Sequence, residues 1–408
     1  MRAVDVSSLG ERLGALPAGV RVVASGNAAA PHAVLEVLDR VLPTYRLFML
    51  NAHAGIPARE GVVHETCFVG AGMRRSPTLS YVPARLSLVP RLFATTLPPD
   101  VVAVTVAPPV DGVFSLGTEV NVLPAAIAAC KARGGLVVAQ VNRSMPWTYG
   151  DGLLTADDID YVLEADEPLQ SPPPTVLDDD ARGVGERLAA LVPDGATLQM
   201  GIGTVPDAAL PGLTSRRGLA VWSEMFSDGV LELDRVGSLD PDAALVSSFL
   251  YGSSALYAWV HRNTRVQVLR TETTNSPARI AERRLMTSIN TALQVDLFGQ
   301  ANASRISARI HSGFGGQTDF IVGALHSDGG QALMALRSWH PKADVSTIVP
   351  LVDEPVTSFQ HGAVVTEQGV AWMWGRDERE QARNLIEHAA HPSVRDDLWE
   401  EARELGLA

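Results

Sequence analysis

Apolar residues in this chain fall into short runs, separated by segments where they recur every three or four positions. Runs of strand length fit strands buried on both faces, and the intervening period fits amphipathic helices. Arg21–Ala24, Tyr45–Leu50, Val62–Val69, Val101–Val106 and Leu136–Val141 read as strands. Pro31–Val41 and Ala125–Arg133 read as helices: Pro31 suits a first turn and Gly134-Gly135 stop the second. Strands alternating with helices predict an α/β fold with mostly parallel sheets.

The pattern breaks at Pro168–Pro174, which reads PLQSPPP and runs into Asp178-Asp179-Asp180. A stiff, polar, non-periodic stretch of this kind predicts a linker. A helix over Ala181–Val192, a turn at Asp194-Gly195 and a strand over Ala196–Met200 then restart the alternation. The economical division is two α/β domains, 1–175 and 176–408.

Composition narrows the classes. The 408 residues are 46% hydrophobic and 19% charged, which supports globular cores and excludes disorder over most of the chain. No apolar run approaches the roughly 20 residues of a membrane span, and Asp5 and Glu11 interrupt any early secretory segment. The expectation is a soluble, cytoplasmic protein with no membrane partner. A net charge of −13 argues against nucleic acid, which demands a basic face. Lysine occurs only at Lys131 and Lys342, so arginines must supply any side-chain contact to phosphates. Cys67 and Cys130 are too few for a disulfide framework or a four-sulfur metal site.

Three segments carry candidate chemistry. Leu198–Asp207 ends a strand in Gly201-Ile202-Gly203 and opens a helix, which presents free backbone N–H groups to an anion. An acid, Glu224, follows at the next strand end, imitating a dinucleotide fingerprint, but Pro206 stands where the third glycine belongs. Glu224 itself sits among Trp222, Met225 and Phe226, which would desolvate its carboxylate. The third segment, His311–Phe320, holds Gly313, Gly315 and Gly316, a loop able to aim amides at one point as an oxyanion hole requires. His388 and His391 have a spacing able to hold a metal, yet they flank a helix end beside Pro392; no metal is expected.

Together these segments resemble the acetyl-CoA hydrolase/transferase family, which includes 4-hydroxybutyrate and succinyl-CoA:acetate CoA-transferases. The resemblance runs over nearly the whole chain. It is carried by Pro108–Gly112 with Ser115–Gly117, Val141–Pro146, Asp194–Gly203, Ser223–Met225, Ile289–Ala292 with Val295–Leu297, Gly313–Gln317 with Asp319-Phe320, Val365–Glu367 and Ala389–Pro392. It implies two CoA-transferase-like α/β domains with mostly parallel sheets and the active site in the interdomain cleft. Glu224 falls on the family's catalytic glutamate, which becomes a glutamyl-CoA thioester. Gly201, Ile202, Gly203, Thr204 and Val205 fall on its CoA-binding loop. Asn275 falls on an asparagine near the thioester, and Gly315 and Gly316 on the oxyanion loop.

The implied activity is ping-pong exchange of CoA between an acyl-CoA and a small carboxylic acid, with CoA as substrate and no permanently bound cofactor, in a homodimer. An acetyl-CoA hydrolase using the same glutamate is the nearest rival, and a non-catalytic CoA-binding protein a more distant one. Trp222 stands where relatives usually carry a small or polar residue, and Trp372-Met373-Trp374 replaces a more polar run. Thr357–Val365 is shortened, Gln368 replaces a usual tyrosine, and a usual lysine near Asp344 is missing. Such changes point to a bulkier, more apolar acyl pocket.

Overall fold

The computed structural model describes residues 1–173, 175–201 and 203–408. The chain divides into two compact units. The first comprises Met1–Pro172, Ala244–Thr274 and Ile310–Gly315; the second comprises Pro173–Ala243, Asn275–Arg309 and Gly316–Ala408. The first changeover falls in the PLQSPPP stretch, of which Pro174 lies outside the described residues. A single cut at 175/176 is nevertheless too simple, because two later segments return to the first unit. Backbone pairing explains one return: strand Leu245–Ser247 pairs in parallel with Val266–Val268, and Val266–Val268 with Tyr149-Gly150.

The first unit is built on eight strands, β1 (Arg2–Ala3), β2 (Val20–Ala24), β3 (Tyr45–Phe48), β4 (Val62–Thr66), β5 (Leu79–Tyr81), β6 (Val101–Val106), β7 (Leu136–Val141) and β8 (Tyr161–Glu164). They lie in the order β1-β8-β7-β6-β2-β3-β4-β5 and pair in parallel throughout. Such a sheet must be covered on both faces. Helices α1 (Val6–Gly14) and α2 (His32–Val41) cover one: Leu9, Leu13, Val34, Leu35 and Leu38 join Val22, Tyr45, Leu47 and Val101 in one core. Each such leucine contributes roughly 1.5–3 kcal/mol on full burial. Asp5 caps α1 by accepting from the Ser8 N–H at 2.7 Å.

In the second unit, β9 (Thr197–Met200), β10 (Ala220–Trp222), β11 (Met286–Thr291), β12 (Gln331–Ala335), β13 (Ala363–Val365) and β14 (Val370–Trp372) run in the order β14-β13-β12-β11-β9-β10. All pair in parallel except β14, which is antiparallel to β13. Helix α3 (Asp179–Leu191) begins inside the acidic run expected as linker. The Asp178 carboxylate caps it, accepting from the Ala181 N–H at 3.0 Å while Arg337 holds the other oxygen at 2.7 Å. Asp179 and Asp180 then complement the positive helix end. Helix α4 (Thr204–Leu213) packs on α3 where Gly185 meets Ala208; a Cβ on Gly185 would stand 2.0 Å from the Ala208 carbonyl oxygen.

This topology singles out one place in the second unit. From β9 the chain passes to β10 on one side, and later to β11 on the other. Ligands of open α/β sheets bind beyond the carboxyl ends of the strands at such a switch point. The loop after β9 holds Gly201 and Gly203, and the end of β10 leads directly to Glu224.

Candidate active site

Strand β10 ends at Trp222, and the chain turns through Ser223 and Glu224 before Met225-Phe226 extends again. Ser223 Oγ donates to the Met200 carbonyl at 3.1 Å, fastening this turn to the end of β9. Met225 and Phe226 are buried, as desolvation of the glutamate requires. Trp222 is buried too, but its ring lies under the Arg283 guanidinium, 4.6 Å from the ring centroid. Its bulk is therefore engaged by a cation–π contact.

Glu224 meets two residues brought from far along the chain. Asn275, fully buried, donates from Nδ2 to Glu224 Oε2 at 2.9 Å. Gly316 opens helix α5 (Gln317–His326) and directs its backbone N–H to the same carboxylate. A Cβ on Gly316 would stand 1.8 Å from Glu224 Oε2 and 2.2 Å from Asn275 Nδ2. Gly316 has φ −97°, which any residue can adopt, so glycine is required here for close approach. The conformational freedom expected of the loop is used one residue earlier, where Gly315 has φ +54°. Gly315 itself packs beside Phe68 and accepts the Leu86 N–H at 2.9 Å. The structure thus gathers Glu224, Asn275 and Gly316 in the second unit, while Gly315 belongs to the first.

Burial pushes the Glu224 carboxyl up to about 7, against the lowering pull of the Asn275 and Gly316 donors. Asp319, buried on the first turn of α5, adds a like charge that raises it further. Sequence reasoning gave Asp319 no role. Its signals were its place three residues after the glycine pair and its membership of a segment that carries the resemblance.

The loop after β9 has the form expected of it. Gly203 adopts φ +119° at the start of α4, and among the described residues, chain neighbours aside, no heavy atom lies within 4 Å of a Cβ built on Gly201 or Gly203. Thr204 and Val205 form the first helical turn, whose N–H groups lack intrahelical partners. Ile202 lies outside the described residues. Two arginines are taken up locally: Arg74 donates to the His311 carbonyl and Arg216 to that of Ala189. His391 accepts from the Ser393 N–H and packs its ring on Trp339 at 5.1 Å. Among the described residues, no group of three His, Cys, Asp or Glu side chains is placed to hold a metal, and no helix is long and apolar enough to cross a membrane.

Comparison with known proteins adds a family. The model of the acetyl-CoA hydrolase/transferase N-terminal domain matches residues 49–171, and that of the C-terminal domain matches residues 252–402. A 4-hydroxybutyrate coenzyme A transferase of Clostridium kluyveri is 40% identical over 390 residues, covering 91% of this chain and 90% of the relative. A succinyl-CoA:acetate/propanoyl-CoA:succinate CoA transferase of Fasciola hepatica is 33% identical over 414 residues, covering 95% and 85%. The crystal structure of a 4-hydroxybutyrate CoA-transferase from Porphyromonas gingivalis matches with a TM-score of 0.83 and 31% identity, covering 99% of this chain and 98% of that one. Glu224 falls between the two segments matched by the domain models.

Proposed function

Because the chain belongs to the acetyl-CoA hydrolase/transferase family and is an enzyme of it, we propose that it moves CoA between an acyl-CoA and a carboxylic acid through a glutamyl-CoA thioester on Glu224. One observation carries the reading. A half-buried, desolvated carboxylate accepts a hydrogen bond from Asn275 at 2.9 Å and faces a backbone N–H at Gly316, where an added side chain would push it aside.

The chemistry follows from those atoms. Ionised Glu224 attacks the acyl-CoA carbonyl and expels CoA thiolate, leaving a mixed anhydride. The thiolate attacks Cδ of Glu224; the C–O bond to the acyl group breaks, releasing the first carboxylate and leaving the thioester. A second carboxylate attacks that thioester and expels the thiolate. The thiolate then takes the new acyl group and frees Glu224. Covalent catalysis of this kind divides one difficult exchange into matched steps.

Each attack at Cδ puts negative charge on a Glu224 oxygen. Asn275 Nδ2 and the Gly316 N–H already point there, so they serve as the oxyanion donors, each worth roughly 3–4 kcal/mol by analogy with other such sites. Gly315 contributes the left-handed turn that delivers Gly316. Gly201, Ile202, Gly203, Thr204 and Val205 take the CoA side, where the start of a helix offers backbone N–H groups to its anionic and carbonyl oxygens. Distant contacts to CoA then raise the rate at the thioester. CoA enters as substrate, and the proposed assembly is a homodimer in the cytoplasm.

Trapping tests the mechanism. Incubation with acetyl-CoA followed by borohydride or hydroxylamine is expected to leave a modified Glu224 detectable by mass spectrometry. An unmodified Glu224 under turnover would overturn the reading. A panel of carboxylates then separates transfer from hydrolysis, since a hydrolase consumes acetyl-CoA without any acceptor acid.

A further inference from the structure

A cavity of the second unit, about 280 Å³, shares no lining residue with the Glu224 centre. Its volume sits just below the roughly 300–1,000 Å³ of drug-sized ligand sites. That suits a base or nucleoside and is too small for a whole CoA.

Three aromatic rings line it: Phe298, Phe359 and Trp374. Trp374 is 61% exposed, an apolar surface that a stacked ligand would cover. Between the rings stand neutral hydrogen-bonding groups. The side-chain amides of Gln300 and Gln360 and the Ser358 hydroxyl make no hydrogen bond among the described residues. Among the described residues, no lysine or arginine lines the cavity, and its one charged residue is Glu378, on the first turn of helix α6 (Glu378–Asn384).

The walls are already set. The Asp296 carboxylate accepts the N–H groups of Phe298 at 3.1 Å and Gln300 at 2.8 Å, fixing the turn that carries both side chains. Gln381 donates from Nε2 to the carbonyls of Met373 at 3.1 Å and Arg376 at 2.9 Å, holding the segment that bears Trp374. His361 lies 2.9 Å from the Gly299 carbonyl through Nε2, which must carry the proton because a carbonyl only accepts. Burial pulls the imidazole down to about 4, so this wall is uncharged at neutral pH.

A ligand matching this lining is flat, carries donors and acceptors on one edge, and has no negative charge. Glutamine amides pair two-pronged with the adjacent donor and acceptor of adenine, and aromatic side chains stack on bases. We propose that this cavity binds an uncharged purine-type base or nucleoside, as a site separate from the CoA-transfer centre.

Calorimetric titration of the full chain with adenosine, guanosine, cytidine, adenosine monophosphate and CoA tests this. Adenosine is expected to bind saturably, one per chain. Gln360→Ala and Trp374→Ala should each weaken it at least tenfold; because both side chains sit at the surface of a preformed cavity, the melting temperature should stay unchanged. Glu224→Gln should leave adenosine binding intact, so this site stands or falls independently of the transferase mechanism. The monophosphate should bind at least fivefold more weakly than adenosine, and Glu378→Gln should narrow that gap. No saturable binding of any nucleoside at millimolar concentration would overturn the proposal. So would cytidine binding as tightly as adenosine, affinities indifferent to both cavity variants, or displacement of adenosine by CoA.

Discussion

Gly316 leaves room for Glu224: a methyl group added to this glycine would stand 1.8 Å from the carboxylate oxygen Oε2. The atoms in the way are the ends of two side chains, Glu224 and Asn275, which can swing aside without moving backbone. The residue's φ of −97° tolerates alanine. Gly316→Ala should therefore fold normally and fail as a catalyst. We expect kcat to fall by about 100-fold or more, the usual cost of misplacing a reacting group by an ångström, with a melting temperature within a few degrees of the parent. Loss of stability in proportion to loss of rate would refute this account of the glycine.

The pH dependence of Glu224 has two faces. Its folded-state pKa, pushed up to about 7 by burial, lies above the ordinary value of 4.5. The nucleophile is the ionised form, so the rate should rise with pH up to about 7 and level off above it. Stability runs the other way. The folded state holds the proton more tightly than the unfolded state, so its contribution is full below 4.5 and is lost as pH rises through 7. The loss is on the order of 3 kcal/mol. Glu224→Gln, a neutral isostere, should thus be inactive yet more resistant to denaturant at pH 8, with the advantage vanishing near pH 5. Denaturant titrations of both proteins at the two pH values check it; an equal difference at both would contradict the assignment.

Much of this centre was legible in the sequence because its parts sit at element ends. Runs such as Val101–Val106 and Leu136–Val141 form strands over the expected bounds, since turn residues at Pro99-Asp100 and Gly134-Gly135 mark where each apolar run begins. Glu224 and the Gly201–Val205 loop stand out because strand ends and turns have local signatures. Asn275 lies in no such signature: its partner is 51 residues away, and only the fold of the second unit joins them. Its place was known through resemblance alone. Likewise, the acidic run at Asp178–Asp180 reads equally as linker or helix start, and the capping bond to Ala181 decides between them. The return of Ala244–Thr274 to the first unit was unreadable because parallel pairing with Tyr149-Gly150 is non-local.

Asn275 and Asp319 act on Glu224 in opposite senses. Asn275 stabilises the carboxylate by donation at 2.9 Å, whereas Asp319 opposes it by like charge. Removing the donor with Asn275→Ala should move the rising limb of the pH–rate profile to higher pH. Asp319→Asn should move it to lower pH. The rates at plateau should separate as well: Asn275→Ala loses an oxyanion donor and should drop about 100-fold, while Asp319→Asn should keep most of its rate. Profiles shifting in the same direction would show that the two residues act through packing.

The first unit fills its own switch point with a carboxylate. Strand β2 passes to β3 on one side and β6 on the other, and Gly26 and Asn27 follow it after Ser25. There the buried Glu119 accepts the Gly26 N–H at 3.0 Å, Asn27 Nδ2 at 2.7 Å and Asn121 Nδ2 at 3.0 Å. Burial pushes it up to about 7 despite these donors. Asn27 is held at φ +44°, and its Oδ1 accepts from Asn51, at φ +45°, at 2.7 Å. Two asparagines in left-handed conformations thus depend on one acid. Glu119→Ala would strand three buried donors, each costing roughly 1–3 kcal/mol. We expect Glu119→Ala to destabilise the protein by at least about 3 kcal/mol, and Glu119→Gln, which keeps one acceptor oxygen and adds two donors, to cost less at pH 8 than at pH 5. The reason is the charge: at pH 8 the parent bears a buried carboxylate that the amide replaces, whereas at pH 5 it is already neutral. Urea midpoints for the three proteins at both pH values measure this, and a Glu119→Ala variant as stable as the parent would show that the network is dispensable.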